Sequence, residues 1–418
     1  MKVFKFGGAS VKNSSGIKNL ARIVSGESGN LVIVVSALGK TTNALELLLK
    51  SWNSGDKNYK SHLENIYAYH SAISDELFQS DNSAKSKLDD SFLKLKEYMS
   101  SSKPSDYDYD YDQIVSYGEI WSTLIVNEFL KNEGLASDWI DIRKYLCTDN
   151  RFRDANILWP ESTDRIVKNF GNRGSSVIVT QGFIGGTISG LTTTLGREGS
   201  DYTAAIIANI LDAEAVVVWK DVAGLLNADP KWLPDAVKLD EVSYREAVEM
   251  TFSGAKVIHP KTIKPLQNKN IPLFVKSFLS PEEAGTKVIA EPVLKKILPV
   301  FIKKEKQILL SILPDDFSFV MGENLSRLFY MFMNQGIKVN LVEASAVSID
   351  VCVDDERQKV EALLTELKSE YSVYYNENVE LLSIRHYTPE AVEKVTGGTD
   401  ILLEQKTRST VRYVVRKG

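Results

Sequence analysis

The chain has 418 residues, more than one compact core usually accommodates, so we expect two or three domains. Hydrophobic residues make up 43% and charged residues 25%, as in ordinary globular proteins, and the net charge of -5 argues against a nucleic-acid partner. The two cysteines, Cys147 and Cys352, are far apart in sequence and form no redox or metal motif, which fits a reducing compartment. Because the first residues show no signal-peptide pattern and no apolar run could span a membrane, we expect a cytoplasmic protein without a membrane partner.

The chain begins with an alternation of apolar strands, small-residue loops and helices. Residues 3–6 form a strand that ends at two glycines, and residues 14–25 have helical spacing. Residues 31–35 are a continuous apolar run, typical of a strand buried on both faces, and the polar loop 36–43 follows it. This order predicts a parallel α/β sheet that binds its ligand at the carboxyl ends of the strands.

Residues 53–112 interrupt this alternation. Residues 62–78 and 84–99 have the spacing of two amphipathic helices, and residues 100–112, where Asp and Tyr alternate, predict a solvated connection. We interpret the region as a helical insertion. An acidic interaction patch is the alternative.

The alternation resumes after the insertion. A helix is predicted at 114–131, and strands at 137–142, 175–182, 215–219 and 272–276. Residues 192–205 begin with three threonines, contain two glycines that flank Arg197, and lead into an apolar helix. Such a loop offers backbone N–H groups and the positive end of a helix dipole to an anion. At least five loops of this kind follow apolar strands, so they predict a shared cleft for a polyphosphate and a small anionic substrate, with Lys5, Arg197 and Lys256 on its rim.

The character of the sequence changes past residue 290. Segments at 307–313, 324–334, 339–343, 347–351, 357–368 and 371–375 read β-α-β-β-α-β, the ferredoxin-like order. Segments at 379–386, 389–395, 401–404 and 410–415 repeat only β-α-β-β. The second module is therefore either trimmed or completed by pieces from elsewhere in the chain or from a partner.

Six motifs, taken together and in this order, resemble the aspartate kinase family. They are Lys5-Phe6-Gly7-Gly8-Ala9-Ser10-Val11, residues 36–43, Gly118-Glu119, residues 181–185, residues 196–201 and residues 252–260. The resemblance implies an α/β catalytic domain at 1–290, a three-layer αβα sandwich with a mainly parallel sheet (the amino-acid-kinase fold) and the 53–112 insertion. It implies α+β ferredoxin-like ACT modules at 291–418, one of them truncated, for regulation and dimerisation.

The same resemblance implies an activity. The expected reaction is ATP-dependent phosphorylation of the β-carboxylate of L-aspartate, giving 4-phospho-L-aspartate on the way to lysine, threonine and methionine. Mg²⁺ would be held by phosphate oxygens and water, so we expect no protein metal ligand. The expected partners are L-aspartate, ATP, a lysine or threonine effector, and a second copy of the chain paired through the ACT-like region.

Site residues follow from the motifs that match the family. On the substrate side, Arg197 would hold the α-carboxylate of aspartate and Glu119 its ammonium group, with three hydroxyls nearby: Ser36, Thr42 and Ser200. Thr42 could instead be only a helix cap, Glu119 a surface acid, and Asp201 the cap of its helix. The residues implied in catalysis are Lys5, Asp201 and Lys256. The residues implied in nucleotide binding are Gly7, Gly8, Ser10, Lys220, Asp221, Lys231 and Lys256.

Some positions depart from the family pattern or remain open. Lys220 and Lys231 stand where many relatives have Thr and Arg, and a lysine lacks the bidentate geometry of a guanidinium. Residues 321–324 and 340–342 correspond to effector positions, but they could equally be core and loop residues of a dimerisation module. Glu198 has no role that the sequence reveals.

Two other function classes predict different residues at these positions. Another carboxylate- or carbamate-phosphorylating enzyme of the same fold would lack the Glu119 and Arg197 pair. A non-catalytic effector-binding protein would lack at least one of the charged site residues. The chain retains all of them.

Overall fold

The computed structural model describes residues 1–78, 82–171, 177–255, 258–293, 297–316, 318–320 and 322–417. The chain divides into two units. The first consists of Met1–Leu225, Lys238–Val248 and Ile258–Val293, and the second of Leu226–Val237, Glu249–Val257 and Leu294–Gly418. None of the helices in the described ranges is long and apolar enough to cross a membrane.

Short strands at regular intervals build the sheets of the first unit. They are β1 Lys2–Phe6, β2 Leu31–Val35, β3 Ser137–Ile140, β4 Cys147–Thr148, β5 Val177–Gln181, β6 Ile184–Thr187, β7 Thr192–Thr194, β8 Ala215–Lys220, β9 Glu241–Ser243, β10 Leu273–Ser277 and β11 Thr286–Ile289. The main sheet has the order β3-β5-β2-β1-β8-β10-β11-β9, and its neighbouring strands are parallel except for β10 and β11. A small second sheet has the order β4-β6-β7.

Helices connect these strands. They are α1 Ser14–Ser25, α2 Thr41–Asn53, α3 Tyr59–Phe78, α4 Asn82–Ser101, α5 Tyr107–Val115, α6 Tyr117–Asn132, α7 Trp159–Phe170, α8 Gly199–Ile210, α9 Tyr244–Ser253 and α10 Pro260–Asn268. Alternate side chains of the strands face opposite sides of the sheet. Phe4, Ile33 and Val179 share one hydrophobic core with helices α1 to α6, whereas α8, which contacts β1, β2 and β8, lies outside that core. The predicted αβα sandwich is confirmed.

One prediction within the insertion is wrong. Residues 107–115 form helix α5 rather than part of a solvated connection, and Asp110, Tyr111 and Asp112 are buried. The helix begins because the side chain of Asp106 accepts a hydrogen bond from the backbone N–H of Tyr109, which caps its first turn. The alternation of Asp and Tyr obscured the helical pattern, because two of the buried side chains, Asp110 and Asp112, are hydrogen-bonded carboxylates instead of apolar groups.

The second unit contains a six-stranded antiparallel sheet. Its strands are β12 Val300–Pro314, β13 Val339–Ala344, β14 Ile349–Asp354, β15 Tyr371–Arg385, β16 Thr399–Lys406 and β17 Thr410–Lys417, in the order β13-β14-β12-β15-β17-β16. Its helices are α11 Glu323–Asn334, α12 Arg357–Leu367 and α13 Pro389–Thr396. The α+β ferredoxin-like class is confirmed.

Strands β12 and β15 are longer than the sequence predicts. The strands predicted at 371–375 and 379–386 are one strand, because exposed polar residues such as Glu377 break the apolar pattern without breaking the strand. Strand β12 carries bulges between Lys304 and Leu309 and pairs with β15 on both sides of them. Each long strand therefore serves both halves of the sheet.

The shortened second half of the sheet also packs against a segment from earlier in the chain. A hydrophobic cluster joins Phe301, Leu382 and Val411 to the segment Leu226–Val237, which contributes Ala228, Trp232, Leu233 and Ala236. These side chains supply apolar surface that a second helix would supply in a complete β-α-β-β-α-β module.

Candidate active site

Four parallel strands of the main sheet end at the same level. In the register, Phe6 lies opposite Val35 and Trp219, and Val35 lies opposite Gln181. Since β1, β2, β5 and β8 run in one direction, the loops that follow them meet at one edge of the sheet. This edge is where an open parallel sheet binds ligands.

A cavity of about 590 Å³ lies among these loops. It is lined by Lys5, Ser36, Thr42, Tyr111, Glu119, Arg153, Phe183, Gly196, Arg197, Glu198, Gly199, Ser200, Asp201 and Lys220. All the residues that the sequence assigns to substrate binding therefore lie around one cavity. A cleft of about 770 Å³ elsewhere in the unit is lined by charged side chains that are all exposed, among them Lys18 and Arg22, and it lacks such a concentration of buried charge.

The loops after β1 and β2 approach each other closely. A Cβ atom on Gly8 would lie 2.4 Å from the carbonyl oxygen of Ala37, so only glycine fits there. Ser10 is buried behind this turn, and its backbone N–H donates to the carbonyl of Gly7 at 3.0 Å. The predicted Gly7, Gly8 and Ser10 thus form one compact turn at the end of the strand that carries Lys5.

Lys5 and Asp201 form a buried ion pair in the cavity. Lys5 Nζ lies 2.6 Å from Asp201 Oδ1, and Lys220 Nζ lies 3.9 Å from Asp201 Oδ2. Burial would raise the pKa of Asp201, but the two lysine charges outweigh it and hold that pKa below its usual range. Asp201 lies in the first turn of α8 and does not cap it, because the capping position is Glu198. An ionised carboxylate therefore fixes two cations at the strand ends.

Glu119 is buried in the same cavity with little to stabilise its charge. The backbone N–H of Ala37 donates to Oε1 at 3.3 Å, and Oε2 has no hydrogen-bond partner among the described residues. Burial raises the pKa of Glu119 to about 8, although this N–H and the charge of Lys5 oppose the rise. Glu119 lines the cavity, and a buried carboxyl group with so few partners suits a cationic ligand group.

The loop that carries Arg197 has a constrained backbone. Gly196 has a φ of 75° and Glu198 a φ of 54°, both in the left-handed region. Glu198 Oε2 accepts a hydrogen bond from the backbone N–H of His259 at 3.1 Å. The structure thus gives Glu198 a contact that sequence reasoning missed: it ties the Arg197 loop to the start of α10.

The remaining predicted residues are placed as follows. Thr42 lies in the first turn of α2, whose capping position is Lys40, so Thr42 does not cap the helix. Asp221 is exposed just beyond β8. Lys231 belongs to the second unit, where its backbone N–H donates to Asp229 Oδ1 at 2.9 Å. Lys256 lies outside the described residues.

Two residues of the cavity, Tyr111 and Arg153, were not predicted and lie outside all six motifs. Tyr111 is on α5, and Arg153 is in the loop between β4 and α7 with a φ of 66°. A left-handed arginine is uncommon and marks a constrained backbone. The sequence gives only one signal for these residues. A prediction of residues 107–115 as a helix would have placed that helix beside the motif loops.

Comparisons with known proteins identify the family of this chain. The model of the amino acid kinase family matches residues 1–277, so the chain belongs to that family. It is 30% identical over 390 residues to the lysine-sensitive aspartokinase 3 of Escherichia coli, covering 91% of this chain and 86% of that protein. Within the family, the chain is therefore a member of the aspartokinases.

Two further relatives show the extent of the likeness. The chain is 31% identical over 387 residues to the chloroplastic bifunctional aspartokinase/homoserine dehydrogenase 2 of Arabidopsis thaliana, covering 88% of this chain but only 42% of that protein. It thus spans about two fifths of the length of the bifunctional relatives it matches. The crystal structure of E. coli aspartokinase III with aspartate and ADP matches with a TM-score of 0.83 and 28% identity, covering 99% of this chain and 96% of that one.

Proposed function

We propose that this protein is an aspartate kinase that transfers the γ-phosphate of ATP to the β-carboxylate of L-aspartate. The observation that carries the proposal is the cavity itself. It combines the Lys5–Asp201 pair, the Arg197 guanidinium and the carboxyl of Glu119, whose Oε2 has no hydrogen-bond partner among the described residues, within one space of about 590 Å³. The similarity to aspartokinase III, whose structure contains aspartate and ADP, supports the choice of substrates.

Substrate recognition rests on charge at both ends of an amino acid. Arg197 binds the α-carboxylate through its planar fork, and Glu119 binds the ammonium group. The hydroxyls of Ser36, Thr42 and Ser200 hold the side of the molecule that reacts. A ligand with only one of the two charged groups would leave Arg197 or Glu119 unpaired, which disfavours it.

The reaction depends on the positioning of the two substrates and on nearby cations, and it does not require a general base. The β-carboxylate of aspartate is already ionised near neutral pH, so its oxygen attacks the γ-phosphorus directly as the bond to the β-phosphate oxygen breaks. Negative charge moves onto the departing ADP during this step. Lys5 stabilises the transferring phosphoryl group, and Asp201 keeps Lys5 and Lys220 pointed at it.

For the nucleotide, we propose contacts from one group of residues: Gly7, Gly8, Ser10, Lys220, Asp221, Lys231 and Lys256. Mg²⁺ would neutralise the phosphates and be held by their oxygens and by water. In the described part of the chain, no group of three or more His, Cys, Asp or Glu side chains is placed to hold a metal ion.

We also propose the wider role that the family implies. The product would feed the synthesis of lysine, threonine and methionine in the cytoplasm. The six-stranded sheet of the second unit would act as paired ACT modules that join two copies of the chain and bind a lysine or threonine effector. The name of the lysine-sensitive relative favours lysine. Titrating each amino acid while recording activity and thermal stability tests this part of the proposal.

The decisive experiment follows acyl-phosphate formation, trapped with hydroxylamine, from ATP and Mg²⁺ with L-aspartate, L-glutamate or N-acetylglutamate. We expect product only with L-aspartate. Product with another acid alone would indicate a different carboxylate kinase, and no product from folded protein would indicate a binding protein. We further expect Arg197→Ala to raise the aspartate KM by at least about tenfold while the ATP KM stays within about twofold. An equal rise in both would contradict the assignment of Arg197.

A further inference from the structure

One wall of the cavity comes from the helical insertion and the loop around residue 153. We call Tyr111, Arg153 and the carboxylate of Asp112 the insertion wall. Asp112 Oδ2 accepts hydrogen bonds from the backbone N–H of Arg153 at 3.0 Å and from that of Thr194 at 2.8 Å, and Oδ1 accepts from Thr194 Oγ1 at 2.7 Å. Asp112 is fully buried. One carboxylate therefore fixes the left-handed backbone of Arg153 against the strand that leads into the Arg197 loop.

The guanidinium of Arg153 lies over two aromatic rings. Its guanidinium carbon lies 4.6 Å from the ring centroid of Tyr111 and 5.7 Å from that of Tyr107. The Tyr111 hydroxyl donates to Glu46 at 2.9 Å, which fixes the ring. Stacking uses the face of a guanidinium and leaves the N–H groups at its edge for an anion.

The donors of Arg153 are only partly used. Nη1 donates to Asp108 Oδ1 at 3.1 Å, and both side chains of this pair are about half exposed, so the pair contributes little. Among the described residues, Nε and Nη2 have no hydrogen-bond partner of their own. The guanidinium can therefore accept a second anion without breaking a buried contact.

Arg153 also lies beside the loop of Arg197. A Cβ atom on Gly196 would lie 3.2 Å from the carbonyl oxygen of Arg153, so the two loops touch next to the two arginines. Both arginine side chains line the same cavity. Two guanidinium groups in one small cavity repel each other, and an anionic ligand group between them relieves that repulsion.

We propose that Arg153 is a second binding residue for the α-carboxylate of the amino-acid substrate, and that it shares this group with Arg197. The inference rests on the proposed function, because it takes aspartate as the substrate. It also gives the helical insertion a role in substrate binding, since α5 supplies the ring and the buried carboxylate that orient a specificity residue.

The test compares Arg153→Gln and Arg153→Lys with wild type, using two ligands. L-Aspartate carries the α-carboxylate, and β-alanine keeps the ammonium group and the other carboxylate but lacks it. Arg151→Gln is the matched control, because Arg151 lies two residues away, is exposed and does not line the cavity. Calorimetry gives the dissociation constants, and steady-state kinetics give kcat and both KM values.

We expect Arg153→Gln to weaken aspartate binding about tenfold, as for one charge-assisted hydrogen bond, while β-alanine binding stays within about twofold of wild type. Arg153→Lys should recover part of the loss, and Arg151→Gln should match wild type. Equal weakening of both ligands, or none, would overturn the proposal.

A further variant distinguishes a substrate-binding role of Arg153 from a purely structural role. Asp108→Asn removes the surface ion pair but keeps Arg153, so it should leave aspartate binding within about twofold of wild type. If Asp108→Asn weakens aspartate as much as Arg153→Gln does, Arg153 is a structural brace and the proposal fails. Wild-type protein that binds aspartate without phosphorylating it would contradict the proposed reaction but leave the role of Arg153 intact. Wild-type protein that does not bind aspartate would overturn both.

Discussion

The cavity has two walls that are built in different ways. The strand-end wall consists of Lys5 on β1, Lys220 on β8, Ser36 and Phe183 in the loops after β2 and β5, and Asp201 on α8. The hydrogen-bond ladder of a parallel sheet fixes the strands that carry it. Its charges are paired, with Lys5 Nζ 2.6 Å from Asp201 Oδ1. In the insertion wall, by contrast, the backbone of Arg153 is held by one hydrogen bond from its N–H to the buried carboxylate of Asp112.

This difference separates catalysis from recognition. In the proposed reaction, the strand-end wall holds the reacting groups, where a misplaced cation costs transition-state stabilisation directly. In the same proposal, the insertion wall binds the α-carboxylate of the substrate, which does not react, and small shifts there change affinity and selectivity. We therefore expect changes in the strand-end wall to alter kcat, and changes in the insertion wall to alter aspartate KM and stability.

The largest effect is expected from Lys5→Met. Loss of the cation beside the transferring phosphoryl group should lower kcat by about 10²- to 10³-fold. Lys2→Met on the same strand is the control, because Lys2 pairs with Glu27 at 2.6 Å away from the cavity and should retain wild-type kcat. Steady-state kinetics with the hydroxylamine trap measure both. If the Lys5→Met enzyme keeps more than a tenth of the wild-type kcat, the two walls do not differ in their effect on kcat as expected.

The next largest effect is expected from Asp112→Ala. The variant leaves the backbone N–H groups of Arg153 and Thr194 without their buried acceptor, so the free energy of unfolding should fall by about 3 kcal/mol. The aspartate KM should rise while kcat changes less. Thermal unfolding and kinetics measure the two changes. Asp108→Ala, an exposed carboxylate on the same helix, should change stability by less than about 0.5 kcal/mol. Equal losses for both variants would show that burial of Asp112 does not set the effect.

A pH effect is expected from Glu119. Burial raises its pKa to about 8 in the free protein, so the carboxyl is largely protonated below that pH. The substrate ammonium favours the ionised form, so aspartate binding should release a proton, and affinity should rise by up to about tenfold per pH unit as the pH approaches 8 from below. Calorimetry in buffers of different ionisation enthalpy measures this release. Glu119→Gln should bind weakly with no such slope, and a slope that survives in this variant would assign the proton to another group.

The smallest effect is expected from Glu198→Gln. The side chain is exposed, and the variant keeps its size but weakens the acceptor for the His259 N–H, so the aspartate KM should rise by about twofold. Glu133→Gln, an exposed carboxylate far from the cavity lining, should leave KM unchanged. A tenfold rise for Glu198→Gln would place this carboxylate among the substrate contacts rather than behind the Arg197 loop.

The sequence by itself determined the strand-end wall. Apolar runs such as Leu31–Val35 and the glycines after them are local signals, because a strand buried on both faces and a tight turn each restrict the residues at their own positions. Because the strands of a parallel sheet run in one direction, the loops that follow them lie at one edge of the sheet. For this reason the pattern could place Lys5 and Arg197 at one cleft, and the resemblance to the aspartate kinases added Glu119 and Asp201.

The tertiary structure alone decided the insertion wall. The bond from the Arg153 N–H to Asp112 joins residues 41 positions apart, the bond from Thr194 to Asp112 joins residues 82 apart, and the bond from His259 to Glu198 joins residues 61 apart. Contacts between residues so far apart in sequence produce no periodic sequence pattern, because each partner taken alone resembles an ordinary surface residue. The sequence therefore determined which residues meet at the ends of the strands, and only the packing of distant segments decided which others complete the cavity.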